Sequence, residues 1–365
     1  MYKFKEDKRN VTTLTLCFKA GAIYEEKGSY GTMHLLEHLI CKSFMDLQKQ
    51  LAIRGISYNA STNNEYVSVF FSGLNTQLTP ELKEDLTKRL CSGLVCDEKE
   101  FEKEKDIVKQ ELLSAYKDKK DIIDLFSACF NFNGAMGNFE DIEKFKLSKA
   151  KEVYDKFFRI PDFILECGPE KTPWLERFGE NEPVKHEQRK IMWTGEKPKN
   201  ETEKNIDNVK IYLVSKNTVS KEDYPYLSIA MRILSNSRDS ILHDELRQKR
   251  GLVYSESCIK LKLGDYVYFI NATRTTKDNV EKVLEIYKDT FNHVDTLISE
   301  ENFNDTIQML KCKRELSEID DPMSKLISSV KNWTLPEDLN TISYEKVLEV
   351  SKRLLDMNNI EIVTI

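Results

Sequence analysis

One run of elements can be read twice along this chain, and that repetition constrains the fold more than any single residue does. The first half reads as strand 13–20, helix 31–43, helix 44–54, strand 56–61, strand 66–72 and helix 80–90. The second half reads as strand 209–214, helix 224–235, helix 240–250, strand 253–261, strand 266–272 and helix 277–294. Each half then closes with helices and a late strand, at 162–167 and 359–364. Gly55 and Gly251 fall at matching joints, just after the second helix and before the strand pair. Identity between the halves is slight, so what repeats is layout. Duplication of one α+β domain gives this pattern, each copy an antiparallel or mixed sheet covered by helices. Between the copies, residues 169–206 carry several prolines and dense charge, which reads as a linker. The expected division is therefore 1–168, linker 169–206, and 207–365.

Size agrees with two domains, since 365 residues exceed what one core usually serves. Charged residues make up 32% of the chain and the net charge is −6. Nucleic-acid binding would want a clustered basic face, so that class is excluded. No run of about 18 apolar residues exists, so no membrane partner is expected. The opening MYKFKEDKRN lacks the apolar core of a secretory signal. Eight scattered cysteines include no C-x-x-C pair, which points to reduced thiols and a cytoplasmic location. Cys41, one turn past the histidines discussed next, reads as a small packed residue.

Chemistry is concentrated in His34-Leu35-Leu36-Glu37-His38, which uses two of the five histidines. On a helix, positions three and four apart share a face, so His34 and His38 pair with the Glu37 carboxylate beside them. Zinc hydrolases need this grouping: neutral nitrogens for the metal and a base for a water. Thr32 reads as the N-cap, followed by apolar residues at helical spacing. Residues 97–120 form a second, highly charged helix without Gly or Pro. Within it Glu104 and Glu111 lie seven apart, two turns along one face. Composition alone would make both surface residues.

These residues, in this order, resemble the pitrilysin family of zinc peptidases. The motif HLLEH is followed by Glu111 within EKDIVKQE. Phe18-Lys19-Ala20-Gly21-Ala22 with Glu25 precedes it, and Gly55-Ile56-Ser57-Tyr58-Asn59-Ala60-Ser61-Thr62 comes after it. Leu246-Arg247-Gln248-Lys249-Arg250-Gly251-Leu252-Val253-Tyr254 is similar to the family's second-half signature. The two-domain subfamily, similar to mitochondrial processing peptidase, matches in domain number, although at 365 residues this chain is compact even against it.

The resemblance implies one zinc ion per chain, held by His34, His38 and Glu111, with Glu37 as general base and then acid. It implies that Glu104 orients a ligand from behind. Arg247 and Tyr254 would contact substrate near the scissile bond. Asn59, Ala60 and Ser61 would present a sheet edge to which an extended peptide adds as a strand. The implied function is an endopeptidase acting on unfolded or short peptides, with maturation of a ribosomal peptide by leader removal as one role. The implied assembly is a clamshell of which one chain forms half: a homodimer, or a heterodimer with a related chain. The alternative is a non-catalytic subunit that binds substrate and supports an active partner. One departure stands out. The family follows its motif with a Met-Leu-Phe-x-Gly-Thr-like run, where this chain has Leu39-Ile40-Cys41-Lys42-Ser43. A second expectation is that the usual N-terminal strand is shortened.

Overall fold

The structure is a computed structural model that describes residues 1–198 and 208–365. In chain order, the first elements are β1 Tyr2–Glu6, β2 Val11–Phe18, α1 Thr32–Ile40, α2 Gln48–Ile53, β3 Ser57–Thr62, β4 Val67–Leu74 and α3 Pro80–Cys91. They continue with α4 Glu98–Phe130, α5 Phe139–Lys144, α6 Leu147–Phe157, β5 Phe163–Gly168 and α7 Pro173–Phe178. Then come β6 Asn208–Ser215, α8 Tyr224–Leu234, α9 Ile241–His243, β7 Val253–Leu263, β8 Tyr266–Thr276 and α10 Val280–Asn292. The chain ends with α11 Val294–Leu297, α12 Glu300–Asp320, α13 Met323–Ser328, α14 Tyr344–Leu354 and β9 Ile360–Thr364. Among the described residues, no helix is long and apolar enough to cross a membrane.

Residue contacts divide the chain into two compact units. The first holds Met1–Ser127, Asn131–Ile191 and Ser317–Lys331; the second holds Ala128–Phe130, Met192–Leu316 and Asn332–Ile365. Of the stretch read as a linker, 169–191 packs within the first unit, where α7 forms and Leu175 and Ile191 are buried. Residues 199–207 of it lie outside the described residues.

The two sheets have the same internal topology. In the first the order is β1-β5-β2-β4-β3, and in the second it is β7-β8-β6-β9. Matching β2 with β6, β4 with β8, β3 with β7 and β5 with β9 superposes every antiparallel pairing. Among the described residues, β1, parallel to β5 at one edge, has no counterpart in the second sheet. The N-terminal strand is thus present, as a half-buried edge strand of five residues.

In the first unit, strand alternation sends two sets of side chains to opposite faces. Leu14, Leu16 and Phe18 on β2 lie opposite Phe71, Val69 and Val67 on β4, and all six are buried. Phe44 and Phe158 from the helical layer pack against Phe71 and Phe18. The reverse face carries Cys17, Leu165 and Cys167, and Met323 and Leu326 of α13 cover them. A segment from near the end of the chain therefore seals the back of the first sheet. Because β2 is buried on both faces over its second half, its sequence TLCF shows no polar alternation there.

Helix α4 starts as read. Asp97 is its N-cap, and its side chain and that of Glu100 bond each other's backbone N–H groups in a capping box. It runs ten residues beyond the expected end, through a non-helical Lys119, and stops where Asn131 turns left-handed at φ 48°.

Candidate metal centre

Helix α1 carries the H-x-x-E-H motif, and its start differs from the reading in one respect. The N-cap is Gly31, left-handed at φ 93°, and Thr32 is the first helical residue, its hydroxyl spent on the Ser29 carbonyl. The capping oxygen comes instead from Glu25, whose carboxylate accepts from Gly31 N–H at 3.0 Å and Met33 N–H at 2.9 Å. A carboxyl oxygen at a helix N-terminus satisfies the first amides, which have no partner within the helix. Glu25 is fully buried, and burial pushes its pKa up to about 8.

His34, His38 and Glu111 come together: one ligand atom from each lies within 4.8 Å of the others. Glu111 Oε2 stands 3.3 Å from His34 Nε2 and 3.5 Å from His38 Nε2. The rings of the two histidines meet edge to face at 5.0 Å. Two helices far apart in sequence, α1 ending at Ile40 and α4 beginning at Glu98, thus aim two Nε2 atoms and a carboxylate oxygen at one point. The donor set fits zinc, which favours imidazole nitrogen with a carboxylate and an open fourth position. Protonation state fits too, because burial, with the neighbouring His38 adding to it, lowers the His34 pKa to about 4. A neutral imidazole is what a metal requires. Cys41 is not in this group. Burial, reinforced by Glu37, pushes its thiol up to about 12, which fits a packed residue.

Glu37 points the same way, with Oε2 at 4.0 Å from His34 Nε2. Thr62, the last residue of β3, donates to that oxygen at 3.4 Å. Burial is the largest influence on Glu37 and raises its pKa. A carboxylate of raised basicity is better suited to take a proton near neutral pH. The sequence reading assigned Thr62 no role, although it closes the segment Asn59-Ala60-Ser61-Thr62.

Glu104 lies behind the pair. Its Oε2 is 3.2 Å from His38 Nδ1, and its Oε1 is 2.6 Å from Lys42 Nζ. Burial alone would raise this carboxyl, but the bonds from Lys42 and His38 outweigh it and hold the pKa low. His34 differs: its Nδ1 is buried and has no hydrogen-bond partner among the described residues. Lys42 is the contact the sequence reading missed. Its signal was its spacing, four residues after His38.

Asn59, Ala60 and Ser61 lie on β3, which pairs with β4 on one side only and is the sheet edge beside α1. Asn59 and Ser61 are exposed and Ala60 is half-buried.

Arg247 and Tyr254 belong to the second unit, and both sit on irregular backbone. Arg247 is in a π-turn, Asp244–Gln248, where a regular helix was expected. Tyr254 is the unpaired residue of a β-bulge, since Val253 faces Thr275 and Ser255 faces Arg274. The bulge turns its ring outward, 58% exposed. The Arg247 guanidinium donates to the Tyr254 carbonyl, so the two residues hold each other. Both kinds of irregularity recur where a side chain has to be re-aimed. Helix α8, which corresponds to α1 in the repeat, reads YPYLSIAMRIL and has neither histidine nor glutamate. Among the described residues, the metal-type group found lies in the first copy.

The fold is a duplicated α+β layout whose first copy carries the H-x-x-E-H sequence on α1, and comparison with known proteins places that fold in a family. Residues 4–133 match the family model described as Insulinase (Peptidase family M16), and residues 170–310 match the one described as Peptidase M16 inactive domain. The chain therefore carries the N- and C-terminal domains of peptidase family M16, the insulinase family. A protease from Helicobacter pylori is similar in structure, with TM-score 0.79, 15% identity, and 100% of this chain and 96% of that one covered. A peptidase M16 inactive domain from Pseudomonas fluorescens aligns with TM-score 0.77 and 15% identity, covering 100% of this chain and 94% of that one. A conserved protein from Enterococcus faecalis aligns with TM-score 0.73 and 17% identity, covering 100% and 96%. No curated protein matches the sequence.

Proposed function

We propose that this protein is a zinc-dependent endopeptidase acting on short or unfolded peptides. The observation that carries the reading is the convergence of His34, His38 and Glu111 with Glu37 beside them. His34, His38 and Glu111 would hold the ion, which when bound supplies a Lewis acid for the scissile carbonyl and for water. Glu37, kept in place by Thr62, takes the proton of the attacking water and delivers it to the leaving amine. The free edge of β3 binds substrate as an added strand, so backbone hydrogen bonds at Asn59, Ala60 and Ser61 select for extended chains. Arg247 and Tyr254 contact the substrate, the tyrosine hydroxyl donating toward the developing oxyanion. A second copy or a related chain pairs with this one into a clamshell like that of the mitochondrial processing peptidases. Eight free cysteines suit a reducing compartment such as the cytoplasm.

The test is metal content by mass spectrometry, with cleavage of a peptide mixture before and after chelation. Glu37→Gln should keep zinc and lose turnover by about 10²–10⁴-fold. Turnover that survives this change ends the assignment of the base. The match of the C-terminal half to an inactive-domain model favours a second reading, a non-catalytic subunit. It predicts zinc without cleavage until a sister chain is added.

A further inference from the structure

We propose that Lys42 is a positioning residue that sets how tightly the centre holds its metal, acting through Glu104 on His38. This rests on the zinc reading above and extends it to a residue with no assigned role.

The geometry is a three-member chain. Lys42 Nζ is 2.6 Å from Glu104 Oε1, and Glu104 Oε2 is 3.2 Å from His38 Nδ1. Each carboxylate oxygen of Glu104 is thus used once, one for each partner. With Nδ1 carrying the proton given to Glu104, the lone pair of His38 lies on Nε2, the atom that faces Glu111. Orientation and tautomer of this ligand are fixed together.

The link matters more here because His34 has no equivalent. Its Nδ1 is buried and has no hydrogen-bond partner among the described residues, and its ring rests against His38. Hydrogen-bond control of the imidazole pair therefore runs through His38, Glu104 and Lys42. On its far side, away from Glu111, His34 is held by packing.

Charge explains why a lysine is needed. Three carboxylates, Glu37, Glu104 and Glu111, surround two histidines. The Glu104 side chain is only 8% exposed, so water cannot stabilise its charge well. Lys42, a fifth exposed, brings a cation to that carboxylate while its own stem reaches solvent. Local structure delivers it. Helix α1 ends at Ile40 and the chain continues as a tight 3-10 turn through Leu47, with Ser43 Oγ bonded to the Ile40 carbonyl. Continued helical winding leaves Lys42 on the same side as His38, four residues earlier. The Gly-Thr turn expected at this point is absent, and the structure places an ion pair there.

The experiment is zinc titration of the purified full chain against a competing chelator, with five proteins: wild type, Lys42→Met, Lys42→Arg, Glu104→Gln and the Lys42→Met/Glu104→Gln double variant. Lys42→Met should weaken zinc binding about 10–100-fold, the usual effect of losing an outer partner of a ligand. Lys42→Arg, which keeps charge and donor, should come back to within a few-fold of wild type. In the Glu104→Gln background, adding Lys42→Met should cost little more, because the path is already cut. Equal losses from Lys42→Met in both backgrounds would overturn the proposal, as would a Lys42→Met protein that binds zinc as tightly as wild type. A wild type that never binds zinc would instead refute the zinc reading. Melting curves of the metal-free proteins show whether any loss reflects unfolding, which Lys42→Arg would then not reverse selectively.

Discussion

Replacing Lys83 by methionine should destabilise the first unit, and the cost can be worked out from its surroundings. Lys83 on α3 is 4% exposed and lies 2.5 Å from Glu166, which is wholly buried on the central part of the sheet. Glu166 also accepts from Thr172 N–H at 3.0 Å, from Thr172 Oγ1 at 2.7 Å, and from the Tyr2 hydroxyl. Burial pushes the Glu166 pKa up, but Lys83 and the other donors more than offset this and hold it below its usual value. Breaking a buried pair by removing one partner costs about 3–5 kcal/mol, because a charge is left behind. Three donors stay on Glu166, so the lower end, about 3 kcal/mol, is expected. For a domain of 150–250 residues each kcal/mol is worth about 2–4 °C, so melting should fall by about 6–12 °C. The deficit should depend on pH. In wild type the depressed pKa gives stability that is present above pH 4.5 and lost as pH falls through the folded value. In Lys83→Met the carboxyl is raised instead, so stability is lost as pH climbs. The gap between the two proteins should therefore be widest near pH 8 and narrow toward pH 5. Adding Glu166→Gln to Lys83→Met should recover much of the loss. Calorimetry showing a deficit under 1 kcal/mol, or one equal at both pH values, would refute the reasoning.

Two further outcomes concern Glu25 and Tyr254. The Glu25 pKa is raised from 4.5 to about 8, so the stability it contributes is full below 4.5 and falls as pH rises toward 8. Wild type should lose melting temperature across that window, and Glu25→Gln should flatten the slope in a pH series of thermal melts. Tyr254→Phe should lower kcat/KM about 10²–10³-fold with zinc content unchanged, if its hydroxyl donates to the oxyanion. A change under three-fold in a fluorogenic peptide assay would remove it from that role.

Much of this fold was legible because its signals are local. Gly55 marks the end of α2, where Gly55 N–H reaches Ala52 and Ile56 N–H reaches Leu51, closing a Schellman turn with the glycine at φ 66°. Asp97 and Glu100 announce α4 in the same way. Strand pairs such as β3–β4 follow from β-branched and aromatic runs around the turn at Asn63, whose side chain accepts from Glu65 and Tyr66. What stayed illegible is non-local. Nothing in the sequence of α13 says that Met323 and Leu326 will cover Cys17 and Leu165, and nothing in Lys83 says it will meet Glu166. A charged residue on a helix looks solvated until the register of a distant strand puts a partner beneath it. The same holds at the centre. His34, Glu37 and His38 form a pattern on one helix. Glu111 was reached only by resemblance, and Lys42 was not singled out at all.

The two copies of the domain also show how a repeated layout can hold different chemistry. At the first joint the closing bond runs from Ile56 N–H to the Leu51 carbonyl, five residues back. At the second it runs from Leu252 N–H to the Leu246 carbonyl, six residues back. Gly251 sits at φ 59°, as Gly55 does at 66°, so the two glycines are equivalent and the extra residue lies before them. It is taken up as the π-turn that carries Arg247. A bulge at Tyr254 follows on the next strand, and the guanidinium closes the two irregularities into one unit. Propensity and periodicity report regular helix and strand at these positions, because a single inserted residue changes neither composition nor apolar spacing. The departures from regular geometry cost backbone hydrogen bonding, and such costs persist where the surrounding structure or a function requires them. The first copy keeps its joint regular and places its chemistry on α1. The second has an α8 without histidine or glutamate, and its irregular backbone lies at the two residues that the family resemblance assigns to substrate. The layout is shared, and one inserted residue distinguishes the second joint from the first.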